Sequence, residues 1–130
     1  MIVLDTHTWW WAVSEPGQLS RKARRLIDKT PPDQRTIASI SIWEFAMMVM
    51  RGRINLAISP EEWLDYAINN TGLRVIELNP KIALESCNLP GNFHKDPADR
   101  IITATARISR SQLVTKDQKI IDYPFVTTVW

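Results

Sequence analysis

The chain has 130 residues, of which 45% are hydrophobic and 23% are charged, and its formal net charge is +2. These values fit one globular domain over residues 1–130, and the small charge does not by itself identify a nucleic-acid partner. One cysteine, Cys87, excludes an internal disulfide and a cysteine-based zinc site, and two histidines exclude a histidine-rich one. A metal here would therefore be bound by oxygen, as Mg²⁺ or Mn²⁺ is. No apolar run could span a membrane and the N-terminus lacks a basic signal region, which fits a cytoplasmic protein.

The first 30 residues predict a strand and two helices. Ile2–Leu4 is short and wholly apolar, which is typical of a buried parallel strand. A helix over Trp9–Val13 follows, and because neighbouring helical residues point about 100° apart, its three tryptophans cannot all face the core. Ser20 is placed to cap a helix over Arg21–Lys29, whose many basic residues predict a solvated face.

The middle of the chain continues with a strand and two helices. Thr36–Ser39 predicts the strand. Ser41 and Glu44 have the spacing of a capping box, which predicts a helix over residues 41–50. Another helix is predicted over about residues 60–70, after a serine and a proline that suit a helix start.

The last third of the chain alternates in the same way, with strands predicted at 74–78, 112–115 and 125–129 and helices at 80–87 and 97–108. Asp96 suits the N-cap of the last of these helices, Pro97 its first position and Asp99 its first turn. Arg100 is expected to pair with Asp96 or to contact a phosphate, with pairing favoured. Strands that alternate with helices predict an α/β domain with a mostly parallel sheet.

Four carboxylates share one position in this pattern. They follow a predicted strand or lie in the first turn of a predicted helix: Asp5, Glu44, Asp99 and Asp117. In an open parallel sheet, the carboxyl ends of the strands and the following helix N-termini share one edge, where ligands bind. Each acid also has a structural alternative, because Glu44 can complete a capping box and Asp99 can complement a helix dipole.

The chemistry of such a cluster favours a divalent cation. Asp5 is the hardest acid to explain structurally, since a carboxylate that ends a buried strand is costly unless it is paired. Four converging acids would repel one another and raise some pKa values. A cation relieves that repulsion, polarises a phosphoryl oxygen and acidifies a bound water. The residues therefore predict a Mg²⁺-type site that cleaves phosphodiesters.

Short motifs in a fixed order run through essentially the whole chain, and together they resemble the PIN-domain family. They are Leu4-Asp5-Thr6-His7, Ser41-Ile42-Trp43-Glu44 with Gly52-Arg53-Ile54, Asp96-Pro97-Ala98-Asp99-Arg100 with Ala104-Thr105-Ala106, and Thr115-Lys116-Asp117. Within that family the order is most similar to the VapC toxins of toxin–antitoxin pairs.

The resemblance implies a three-layer α/β/α sandwich that is a Mg²⁺- or Mn²⁺-dependent ribonuclease acting on RNA. It also implies a homodimer and a small antitoxin that blocks the site. By matching position, the family's catalytic and metal-binding acids fall on Asp5, Glu44, Asp99 and Asp117. The secondary candidates are Asp96, Thr115, Thr6 and His7.

Two other functions remain open at this point. One is a catalytically silent PIN-like module that binds RNA or a protein, against which the complete acidic set argues. The other is a phosphatase, whose chemistry usually needs a second acid two residues after the first. That position is occupied here by His7, which disfavours the phosphatase.

Overall fold

A single parallel sheet of five strands forms the centre of the fold in this computed structural model, which describes residues 1–130. The strand order across the sheet is β3-β2-β1-β4-β5. The strands are β1 (Ile2–Leu4), β2 (Arg35–Ala38), β3 (Arg74–Ile76), β4 (Gln112–Val114) and β5 (Thr128–Val129). From β1 the chain adds β2 and then β3 on one side of the sheet, and it then adds β4 and β5 on the other side of β1. Such a reversal of strand order opens a crevice at the carboxyl ends of the two central strands.

Helices connect the strands and cover both faces of the sheet. They are α1 (Thr6–Ser14), α2 (Arg21–Lys29), α3 (Ile40–Met50), α4 (Pro60–Asp65), α5 (Pro80–Cys87), α6 (Pro97–Ile108) and α7 (Gln118–Ile121). Helix α4 continues into a π-helical turn over Tyr66–Asn70, so the helical segment ends where the sequence predicts. None of the helices combines the length and the apolar character that crossing a membrane requires.

The strands separate two hydrophobic layers because successive side chains of a strand point to opposite faces. Ile2 and Leu4 of β1 belong to a large cluster with α1, α2 and α4. Val3 belongs to a second cluster, with Ile102 and Ala106 of α6. The predicted α/β/α architecture with a parallel sheet is confirmed.

The three tryptophans of α1 divide between the core and the surface. Trp9 and Trp10 are buried, and both pack against Phe45 and Trp63, whose rings stack on each other with centroids 4.2 Å apart. Trp11 is only half-buried. The prediction that the three tryptophans cannot all face the core is confirmed, since two of the indole rings fill the core and the third is partly exposed.

Local predictions fail where tertiary contacts take their place. The capping box predicted for Ser41 and Glu44 is wrong, because α3 begins one residue earlier and Ser39 makes no side-chain cap. Ser41 is instead fully buried, with its hydroxyl oxygen 2.9 Å from that of Thr6. Helix α1 begins at Thr6 rather than at Trp9, since the Asp5 carboxylate accepts a hydrogen bond from the Thr6 N–H and caps the helix.

The end of the chain also differs from its prediction. The strand predicted over residues 125–129 is reduced to the two residues of β5. Phe125 lies in a turn, where its carbonyl oxygen accepts a hydrogen bond from the Arg107 guanidinium. Helix α7, which the sequence did not predict, is a single turn that begins directly after Asp117.

Candidate active site

Asp5 lies at the carboxyl end of the central strand. Its backbone N–H donates to the Val114 carbonyl, which extends the pairing of β1 with β4 to this residue. Asp5 is only 8% exposed, and its carboxylate accepts hydrogen bonds from the Thr6 N–H at 2.8 Å and the Thr115 hydroxyl at 2.7 Å. Burial raises the pKa of Asp5 above its ordinary value, although both hydrogen bonds act to lower it. Asp5 forms no ion pair with a lysine, an arginine or a histidine, so its carboxylate remains available to a cation.

Glu44 projects from the first half of α3 into the same crevice. Its Oε1 accepts a hydrogen bond from the Thr6 hydroxyl at 2.6 Å. Burial raises the pKa of Glu44 to about 7, and the nearby carboxylates of Asp5 and Asp99 add to the rise. Glu44 is therefore a carboxyl group that changes its protonation near neutral pH.

Asp99 lies in the first turn of α6, as the sequence predicts. Its Oδ2 is 2.7 Å from Nε2 of His94. Burial raises the pKa of Asp99, while the hydrogen bond with His94 opposes that rise. Asp96 is the N-cap of α6, with its Oδ1 accepting from the Asp99 N–H at 3.1 Å, so the secondary candidate Asp96 also supports the start of the helix.

Asp117 follows β4 and is joined to Asp5 through one hydroxyl group. The Thr115 hydroxyl donates to Asp5 and accepts from the backbone N–H of Asp117 at 3.0 Å. The Asp117 carboxylate in turn accepts from the Lys119 N–H at 2.9 Å and caps α7. Thr115 thereby fixes the relative positions of the chain segments that follow the two central strands.

The four acids line one cavity of about 470 Å³ at this edge of the sheet, as the sequence anticipated. The other residues that line it are His7, Trp11 and Lys116. The hydroxyl of the secondary candidate Thr6 donates a hydrogen bond to Glu44, and the secondary candidate His7 is exposed. Asp96 lies in a neighbouring cavity, which shares Glu44 and His7 with the first. The geometry brings the candidates together, and their catalytic role stays a prediction.

The sequence did not indicate the parts played by three residues at the site. The partnership of His94 with Asp99 spans a loop, and Lys116 and Trp11 reach the cavity from different elements. Lys116 and Trp11 form a cation–π contact, in which the Lys116 ammonium lies 5.8 Å from the centre of the Trp11 ring. A cation beside an aromatic face is a recognisable contact, but only the tertiary structure brings these two residues together.

The pairing expected for Arg100 is wrong. Its guanidinium donates to three backbone carbonyl groups, those of Ser86, Phe93 and His94. Asp96 is therefore left without this cation, and Arg100 instead holds the loop that carries His94. The physical reason is that a guanidinium carries five N–H donors, and here they satisfy three part-buried backbone carbonyl groups at once.

The donors of the cavity fit a hard cation by their chemistry. All four acids present carboxylate oxygens, which Mg²⁺ and Mn²⁺ prefer, and none of them forms an ion pair with a lysine or an arginine. As they stand, however, no three of the acidic or histidine side chains are close enough together to hold a metal ion. Each acid accepts hydrogen bonds from its own neighbours instead, so binding an ion requires the carboxylates to draw together.

Comparison with known proteins gives concordant results. The PIN domain family model matches residues 2–126. Ribonuclease VapC22 of Mycobacterium tuberculosis is 36% identical over 131 residues, covering 99% of this chain and 98% of that protein. A DNA-bound VapBC structure from Salmonella typhimurium has a TM-score of 0.71 at 18% identity, covering 98% of this chain and 96% of the other. A sarcin–ricin-loop-cleaving toxin, VapC20 of M. tuberculosis, has a TM-score of 0.68 at 17% identity, covering 97% of each chain.

Proposed function

Since this chain belongs to the PIN-domain family, and within it to the VapC-type ribonuclease toxins, we propose that it hydrolyses RNA at the cavity lined by its four acids. We propose further that residues 1–130 act as one nuclease domain. The observation that carries the proposal is the gathering of Asp5, Glu44, Asp99 and Asp117 around one cavity without a lysine or arginine paired to any of them.

PIN ribonucleases depend on a divalent metal, and in this chain the same four carboxylates would hold it. When bound, Mg²⁺ or Mn²⁺ supplies positive charge that polarises a phosphoryl oxygen and acidifies the attacking water. Burial is the main cause of the raised pKa values of Asp5, Glu44 and Asp99, and neighbouring carboxylates add to each rise, so a bound cation would favour the charged form of all three acids.

The surrounding residues orient the acids for this chemistry. The Thr115 hydroxyl and the Thr6 N–H fix the two oxygens of Asp5. His94 holds one oxygen of Asp99. The Thr6 hydroxyl likewise holds Oε1 of Glu44, which leaves Oε2 without a protein partner and available to a bound cation.

The proposal includes two protein partners. The first is a small antitoxin that places an arginine or lysine beside the four acids, because a guanidinium pairs bidentately with carboxylates. The second is another copy of this chain. Three large apolar residues of α3 and α5 are exposed and support a dimer that buries them: Trp43 (56%), Leu84 (73%) and Met50 (84%). Sedimentation at micromolar concentration tests the dimer, and a monomer at that concentration would refute it.

The decisive experiment is RNA cleavage by wild type and by Asp5→Asn, with Mg²⁺ or Mn²⁺ and with EDTA. We expect cleavage only with metal, and a loss of at least about a hundredfold in Asp5→Asn. Asp33→Asn is the matched control, since Asp33 is exposed and lies in a turn before β2. Cleavage by Asp5→Asn at the wild-type rate would refute the site. RNA binding without cleavage under any metal would instead indicate a silent module.

A further inference from the structure

One exposed groove of the protein is lined by four cations and no acid. Its volume is about 530 Å³, and it lies between α2 and the strands β4 and β5. Helix α2 contributes Arg21, Lys22, Arg25 and Lys29 to it, and the strands contribute Gln112 and Val129. We refer to this feature as the α2 groove. None of its four cations takes part in a salt bridge or a side-chain hydrogen bond.

This arrangement lowers the stability of the helix that carries it. Arg21, Arg25 and Lys29 are spaced four residues apart, so like charges stand one above another along the helix. The first turn contains no acid and begins with two cations, which oppose the helix dipole. The one ion pair of α2 joins Arg24 to Asp28 at 3.9 Å, outside the groove. Unpaired charge of one sign is thus concentrated on the side of the helix that lines the groove.

An aromatic pair lies between the α2 groove and the acidic cavity. Trp11, which lines the cavity, is in contact with Trp130, with ring centroids 5.9 Å apart. Trp130 directly follows Val129 of the groove and packs against the core cluster that includes α2 residues. Both indoles are only half-buried. The two sites are therefore linked across the surface by partly exposed aromatic rings, with Lys116 beside them.

We propose that the α2 groove binds the phosphate backbone of the RNA substrate, and that the strand reaches the acidic cavity across Trp130 and Trp11. The inference rests on the proposed ribonuclease activity and identifies where the flanking part of the substrate lies. A polyanion is the partner that four unpaired cations favour, and single-stranded nucleic acid adds bases that stack on aromatic rings. Because the net charge of the whole chain is only +2, the four cations of the groove are a local concentration of positive charge rather than part of a generally basic surface.

The size of the effect follows from counterion release. Each phosphate contact with a single strand contributes about 0.7 to the slope of log K against log salt. Between about 1 M and about 0.15 M salt, that slope corresponds to about a fourfold gain in affinity for each contact. Loss of one groove cation should therefore weaken RNA binding about fourfold at about 0.15 M salt, and it should lower the slope by about 0.7.

The test compares Arg25→Glu with Arg24→Glu. The two variants change the net charge equally on the same helix, but only Arg25 lines the groove. Arg25→Glu also creates opposite charges four residues from Arg21 and from Lys29, so its Tm should equal or exceed that of wild type. Binding is measured by fluorescence anisotropy in EDTA, with a labelled single-stranded RNA of about 20 nucleotides, long enough to span both sites. Cleavage is measured separately with Mg²⁺, on this RNA and on one of about four nucleotides that reaches only the cavity.

We expect Arg25→Glu to weaken binding of the long RNA at least about fourfold and to flatten its salt dependence, while Arg24→Glu changes affinity less than about twofold. Cleavage of the short RNA should stay at the wild-type rate in both variants. Equal effects of the two variants would refute the groove, because long-range charge would then explain them. Unchanged RNA affinity together with weaker antitoxin binding in Arg25→Glu would also refute it, and would assign the groove to a protein. Failure of wild type to cleave either RNA would refute the proposed function alone, because binding is measured in EDTA.

Discussion

Replacing Glu44 with glutamine is expected to stabilise the metal-free protein at alkaline pH and to leave it unchanged in acid. Burial raises the pKa of Glu44 from 4.5 to about 7, so the folded state binds a proton that the unfolded state releases. A group of this kind contributes its full stability below about pH 4.5, and that contribution is lost as the pH rises through about 7. Glutamine keeps an oxygen that can accept from the Thr6 hydroxyl but carries no charge.

The size of the change follows from the pKa. A rise of about 2.5 corresponds to about 3 kcal/mol for a fully buried group. Glu44 is only half-buried and solvent screens its charge, which reduces the expected gain to about 1–2 kcal/mol. For a chain of this length, that gain raises the Tm by about 4–8 °C.

The assay is thermal unfolding of wild type and Glu44→Gln in EDTA, at pH 4.5 and at pH 8. The Tm values should agree at the lower pH and separate at the higher one. Glu77→Gln is the matched control, since Glu77 is exposed and makes no side-chain hydrogen bond or ion pair, and its Tm should follow wild type at both pH values. A lower Tm for Glu44→Gln at both pH values would show that Glu44 serves the fold, and the reasoning from charge repulsion would be wrong.

Thr115→Val removes the hydroxyl that joins Asp5 to Asp117 and should lower the free energy of unfolding, measured in urea, by about 1–3 kcal/mol. Thr127 is exposed, so the control Thr127→Val should change that free energy by less than about 0.5 kcal/mol. Equal losses in the two variants would contradict a bridging role for Thr115. Mg²⁺ at about 100 times its Kd should stabilise wild type by about 2.7 kcal/mol in thermal melts, but not Asp5→Asn, and an equal rise in both would move the metal elsewhere. Alanine substitution of the antitoxin's basic residues, one at a time, should weaken inhibition of RNA cleavage in at least one variant. Unchanged potency throughout would mean that the antitoxin covers the RNA path or distorts the enzyme instead.

The sequence by itself determined the order of the elements and the acids that meet at the sheet edge. An apolar segment ending at Asp5, and a proline and two acids at the start of α6, are local signals that act over a few residues. Because parallel strands carry their carboxyl ends to one edge, those signals predict that Asp5, Glu44 and Asp117 share a crevice, and that Asp99 joins them if α6 starts at the same edge, as it does. The resemblance in motif order supplied the family and its chemistry.

Only the tertiary structure decided which side chains form hydrogen bonds with the acids and which residues lie on the surface beside the acidic cavity. The Thr6 hydroxyl reaches Glu44 across 38 positions, and Thr115 reaches Asp5 across 110. The same holds for Trp130, which meets Trp11 from the far end of the chain. Local propensity carries no information about such pairs, because they depend on how the strands are ordered and how the helices pack. That is why the capping box at Ser41 failed: a hydrogen bond between the Ser41 hydroxyl and the hydroxyl of Thr6 in α1 replaced the one that the local sequence offered.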